Sequence, residues 1–162
     1  MPSPRQSFHI MDINQFKTRL LNDLRVELSD EFDRNFTRKA FFQKKWKPRK
    51  NPRALGSLLH VTGTLRRSIQ ARTTQNGVQF TSNVPYAVAH NEGFSGIQNV
   101  REHTRRNAKT GKNSRVRAHQ RNVNIPERRF IGPGKDTDAI IESVIDDNMQ
   151  QFAEQLTKSL KK

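Results

Sequence analysis

The sequence predicts an α+β domain: two long amphipathic helices packed on a small antiparallel β-sheet, with a protruding basic loop or arm. Three observations carry that prediction. Apolar residues recur at helical spacing near both ends of the chain, short alternating segments with turn formers fill the middle, and the positive charge sits in two stretches. At 162 residues the chain suits a single domain with no internal repeat.

In chain order, residues 1–11 read as a loose arm. Asp12 with Gln15 forms a capping-box pattern, and Ile13, Phe16, Leu20, Leu24, Leu28, Phe32 and Phe36 then mark one face of a helix over 12–42. Ser29-Asp30 is the one place where that helix could break. Pro48 and Pro52 stop it, leaving a basic loop at 43–56 whose Trp46 either plugs the loop onto the domain or anchors an interface. Strands and a short helix follow over 57–93. Thr62-Gly63-Thr64-Leu65 reads as a turn and helical start. Ser68 to Thr74 and Val78 to Ser82 alternate around Asn76-Gly77, a pair that predicts a turn with positive φ at both central positions. Pro85 opens a short helix through Ala89 and Gly93 ends it.

Residues 94–122 form a basic arm, either an exposed hairpin or a disordered segment. Val123 to Ile125 reads as a strand that Phe130-Ile131-Gly132 continues or closes, within 123–134. The last helix, 136–160, is capped by Asp136 or Thr137 and presents Ile140, Ile141, Val144, Ile145, Met149, Phe152, Leu156 and Leu160 on its apolar face.

Composition bounds the function. Residues of the set AVILMFWYC make up 32%, and even with the 8 glycines the chain stays below the ~45–50% apolar content of globular proteins. The core is thin, which suits a protomer that finishes its burial against neighbours. Cysteine is absent, which excludes disulfides and cysteine-held zinc. No apolar run approaches the ~20 residues of a membrane span, and Met1 to Ile10 lacks a signal-peptide core, so the expectation is a soluble cytosolic product. Of the net charge of +15, nine bases and no acid fall between Arg34 and Arg53. Eight more bases and one acid, Glu102, fall between Phe94 and Asn122, so the rest of the chain is nearly neutral. Such segments seek polyanions or acidic protein surfaces.

No catalytic layout emerges. His9, His60, His90, His103 and His119 are scattered without metal-ligand spacing, and no serine sits in a nucleophile elbow. His90 and Glu92 are the only acid–base pairing that invites notice, and two positions apart on a helix they diverge. Gly132-Pro133-Gly134-Lys135 lacks the spacing of a phosphate loop and reads as a turn. The expectation is no enzyme, no cofactor and no metal. A DNA-binding accessory protein, contacting phosphates through 44–53 and 101–121, is the alternative. Few aromatics accompany those charges, and no recognition signature appears.

Several phrases join turn formers to an apolar anchor and a positive charge: Trp46-Lys47-Pro48; Leu59 through Ile69, with its Leu-x-x-Thr-Gly-x-Leu-Arg-x-Ser-Ile string; the Asn76-Gly77 hairpin; Pro85-Tyr86-Ala87 with His90 and Gly93; and Pro126-x-Arg128-x-Phe130. In this order, across residues 12–96 and 123–160, they resemble the virion morphogenesis, or tail completion, family of long-tailed bacteriophages. The resemblance implies a structural neck protein of a phage or prophage, assembled in the host cytoplasm. It would be a homo-oligomer, a six-membered ring, between the head connector or stopper and the tail terminator or tube, with non-specific contact to channel DNA and none to a membrane. Within it, Leu65, Tyr86, Phe130 and Trp46 would order the loops and His90 would be structural or interfacial. Arg66, Arg128 and the basic segments, including Arg101, Arg105, Arg106, Lys109, Lys112, Arg115 and Arg117, would face partners.

Overall fold

The structure, a computed structural model, describes residues 12–51 and 56–161. The expected arm at 1–11, His9, and Pro52 and Arg53 of the basic loop lie outside the described residues.

Helix α1 spans Ile13–Arg38 without a break at Ser29-Asp30. Its start follows from the sequence. Asp12 accepts the Gln15 N–H at 2.8 Å while the Gln15 side chain accepts the Asp12 N–H at 3.2 Å. Its end does not, since periodicity carries the expected helix on to residue 42. Lys39 turns left-handed at φ 56 and donates its N–H to the Asn35 carbonyl. The chain then folds into a tiny hairpin, β1 (Ala40–Phe41) with β2 (Lys44–Lys45), in which Phe42 also has positive φ. A bulky residue in that region costs on the order of 1–3 kcal/mol and needs its surroundings to hold it. Asn35 provides the hold. Fully buried, it accepts the Phe42 N–H at 2.9 Å and donates to the Phe130 carbonyl at 3.1 Å.

After residues 46–51, which carry no regular structure, come α2 (Thr64–Arg67), β3 (Ile69–Thr73) and β4 (Val78–Ser82). The β3–β4 hairpin forms around Asn76-Gly77 but without the predicted turn. Thr73 pairs Val78, so the loop has four residues, closed by Thr74 N–H to the Gly77 carbonyl, and neither Asn76 nor Gly77 has positive φ. Loops of that length are built on ordinary turns. Helix α3 (Ala87–Asn91) begins two residues after Pro85 and runs past Ala89 to a cap at Glu92, with Gly93 following its end as expected. Gly93 has φ +83, and a Cβ there would meet the Glu127 nitrogen at 3.0 Å, so glycine is required twice over.

The strands do not form one sheet. Among the described residues they make four separate antiparallel ladders: β1–β2, β3–β4, β5 (Phe94–Val100) with β8 (His119–Ile125), and β6 (His103–Arg106) with β7 (Asn113–Val116). Residues 126–134 carry no strand, so Phe130-Ile131-Gly132 does not continue β8.

Helix α4 spans Lys135–Leu160 and lies antiparallel to α1. The Phe16 and Phe152 rings are 4.9 Å apart at one end, Asn148 donates to Asp23 at 3.1 Å in the middle, and Ile140 and Ile141 pack near Leu28 and Phe32 at the other. Gly134, not Asp136 or Thr137, occupies the N-cap and has no side chain to bond the first turn, while the Thr137 hydroxyl donates to the Gly132 carbonyl at 2.9 Å. Asp136 and Asp138 still favour the positive end of the helix dipole.

Two apolar clusters hold the body. One gathers Phe36, Trp46, Leu65, Ala87 and Phe130, the other Leu28, Phe32 and Phe42, and Ile131 touches both.

Candidate functional site

The first cluster is where the sequence phrases meet. Trp46 is buried, edge-on to Phe36 at 5.7 Å, with its indole N–H donating to the Arg129 carbonyl at 2.6 Å, so it takes the plugging role. Phe130 is 0% exposed, and Asn91 of α3 accepts both the Phe130 N–H at 2.9 Å and the Ile131 N–H at 3.2 Å. Arg128, expected to face partners, is 6% exposed. Its backbone N–H reaches the His90 carbonyl at 2.8 Å, and its guanidinium donates to the Lys47 and Pro48 carbonyls at 2.9 and 3.2 Å. A planar fork of fixed donors suits this task, because one residue ties three backbone segments together. Burial and the nearby Arg49 lower the Arg128 pKa from its usual value, and a guanidinium remains charged nonetheless.

Above these contacts lies a cleft of about 320 Å³, bordered by Leu59, Thr62, Thr64, Tyr86, His90 and Arg128. Gly63 turns the wall at φ +75, and a Cβ there would press on Arg67 at 2.7 Å. Tyr86 sits on the rim, 44% exposed and edge-on to His90 at 5.8 Å, so it does not order the loops from inside. Burial, then the charge of Arg128, push the His90 pKa down, and its Nδ1 has no hydrogen-bond partner. His90 makes no hydrogen bond or ion pair with Glu92. Arg66 reaches from α2 to clamp Asp33 of α1 through both carboxylate oxygens, and that hydrogen bonding holds the Asp33 carboxyl below its usual range.

The basic arm is an ordered hairpin. The β5–β8 ladder runs from Phe94↔Ile125 to Val100↔His119, and β6–β7 extends it from His103↔Val116 to Arg106↔Asn113. At ~3.3 Å per residue it reaches roughly 40 Å. Asn107 closes the tip, its side chain accepting the Lys109 and Thr110 N–H groups at 2.9 and 3.2 Å. The arm strands pack chiefly on each other, and both outer edges of the ribbon are unpaired by any described strand. Arg101, Arg105, Arg106, Lys109, Lys112, Arg115, Arg117 and Arg121 are all exposed. Among them only Arg115 has a carboxylate within 4 Å in the described residues, that of Glu102 at 2.7 Å.

The phage virion morphogenesis family model matches residues 10–150, which takes in α1, the motif cluster, the arm and α4 as far as Gln150. The chain belongs to the phage virion morphogenesis family. Its role accordingly lies in the structure or assembly of the phage particle. No curated protein and no solved structure matches the chain.

In this virion morphogenesis protein the structure gathers Trp46, Tyr86, His90, Arg128 and Phe130 around one cluster. It leaves Arg66 on the flank against α1 and places the arm cations on the separate ribbon. Among the described residues no group of three or more His, Cys, Asp or Glu could hold a metal, and no helix is long and apolar enough to cross a membrane. Sequence reasoning missed Asn35 and Asn91, which join the segments. Asn35 carried a signal: it falls on the apolar stripe with Leu28, Phe32 and Phe36, where a polar side chain has to be satisfied internally.

Proposed function

We propose that this protein is a neck, or tail completion, component that joins the head connector to the tail tube. It works as a homo-oligomeric ring, through the surfaces it presents and not through catalysis. One observation carries the reading. The phrases that looked functional are consumed in packing, with Trp46, Arg128 and Phe130 bonded inward, while a long cationic ribbon stands with exposed edges. A stable body with a free, charged arm suits docking on acidic partner surfaces, where charge sets encounter and register.

Deletion of the gene from the phage or prophage, followed by electron microscopy, tests the proposal. Heads and tails that accumulate unjoined are expected; normal tailed virions would overturn it.

A second reading, contact with duplex DNA in the channel, draws on the exposed arm cations. Filter binding across a salt series checks it, since phosphate contacts make affinity fall steeply with salt. Salt-independent or absent binding removes it.

A further inference from the structure

We propose that the arm of one copy docks along helix α4 of a neighbouring copy. The inference rests on the ring reading above and names the surfaces that would build it.

Helix α4 has an unpartnered outer face. Between Asp136 and Thr157 the sequence holds six acids and no base, all six carboxylates are exposed, and none has an ion-pair partner within 4 Å among the described residues. The face is not purely acidic. At 3.6 residues per turn, Asp138, Glu142, Ile145, Asp146 and Met149 fall along one stripe on the side away from buried Val144 and Asn148. Ile145 is 37% exposed and Met149 51%, so apolar surface runs among the carboxylates.

The arm carries the complement. Ile97 is 64% exposed near the base of the ribbon, paired across the ladder with Asn122; Arg121 lies one step further toward the tip, opposite Gln98, and on the strand of Ile97 the cations begin four residues on at Arg101. The spacings match. With Ile97 seated on Met149, Arg101 lies about 13 Å along the strand. Glu142 and Asp138 lie about 10 and 16 Å along the helix from Met149. The ribbon would therefore run toward the N-terminal end of α4, placing its arginines beside the carboxylates and its Ile97 on the apolar patch.

A second copy fits this face better than DNA does. The three carboxylates of that stripe repel phosphate, and an exposed isoleucine on the ribbon has no role against a phosphate backbone. A two-stranded ribbon without further packing is also marginal alone, and a partner helix completes its burial. Arm-on-helix contact is head-to-tail, the kind that closes into a ring when the rotation permits.

The chain has no cysteine, so an introduced pair reports the contact directly. Ile97→Cys and Met149→Cys variants, purified separately and mixed under mild oxidation, are expected to give a mixed disulfide between copies. Ile97→Cys mixed with Val26→Cys, an exposed position on α1, is expected to give none. The crosslink is expected to fade at about 1 M salt, where charges are screened within ~3 Å. Asp138→Lys, Glu142→Lys and Asp146→Lys together are expected to abolish it. Arg101→Glu, Arg105→Glu and Arg106→Glu are expected to restore it in that background. All of these positions are exposed, so folding is not at stake. Oligomers seen by light scattering without this crosslink would overturn the docking and leave the ring reading standing. A monomer with no crosslink would overturn it as well, and the gene deletion would then judge the neck reading independently. Duplex DNA that shields the thiol of Ile97→Cys from alkylation, with no crosslink, would also overturn it and assign the arm to the channel.

Discussion

The motif cluster and the arm use the same residue types for opposite ends. In the cluster, Arg128 is buried and its hydrogen bonds run to main-chain carbonyls, so its charge serves the fold. On the arm, Arg101, Arg105, Arg106 and Arg117 stand exposed with no carboxylate within 4 Å among the described residues, so their charge is available outside the molecule. The difference lies in burial. A buried guanidinium must commit its donors to its own chain, whereas an exposed one keeps them for a partner. Damage to the cluster should therefore unfold the protein, and damage to the arm should leave a folded protein that does not assemble.

The largest effect belongs to Phe130. Phe130→Ala empties the centre of the first cluster and is expected to cost about 3–5 kcal/mol in denaturant unfolding. Asn35→Ala comes next: it strands the Phe42 N–H and the Phe130 carbonyl in the interior, for an expected loss of about 1–3 kcal/mol by the same measurement. A stability within error of the parent would mean that the hairpin at Phe42 does not depend on Asn35.

His90 gives a pH signature. Its pKa is lowered in the folded protein, so the unfolded chain takes up the proton first on acidification. The stability it contributes is complete above the usual histidine range and is lost as pH falls through its folded pKa. Thermal melts from about pH 7.5 downward should show that loss in the parent and a shallower one in His90→Gln, before the carboxylate of Asp33, held low by Arg66, begins to titrate. A smaller change is expected for Arg66→Ala. The pair with Asp33 is solvent-accessible, and such pairs contribute roughly 0.2–1 kcal/mol. Smallest of all, glutamine at Arg101, Arg105 and Arg106 should leave the melting temperature unchanged while weakening assembly. A large drop in melting temperature would erase the contrast between the two regions.

Much of this division was legible in the sequence. Helical spacing located both long helices, and the Asp12–Gln15 pattern set the start of α1. Alternation placed the β3–β4 hairpin, and the charge runs located the arm. What was hidden depends on contacts distant in sequence. α1 ends at a left-handed Lys39, and the Asn35 that braces the following hairpin is itself tied to Phe130, 95 residues away, a bond that no local propensity encodes. Arg128 looked outward because charge usually does; it points inward because the Trp46-Lys47-Pro48 segment offers it carbonyls. α1 packs against β3 and β4, and no other described strand pairs with their outer edges. The arm was ambiguous between hairpin and disorder, since ribbon pairing leaves nearly every side chain polar and exposed.

The most direct test of the central claim shortens the arm. Replacing residues 97–122 with Asn-Gly joins the Gly96↔Val123 pair through a two-residue turn and leaves the cluster intact. Supplied to a phage lacking the gene, this variant should match the parent in its unfolding midpoint yet fail to restore joined, tailed particles. Restoration of normal tailed virions by the shortened protein would contradict the assignment of function to the arm.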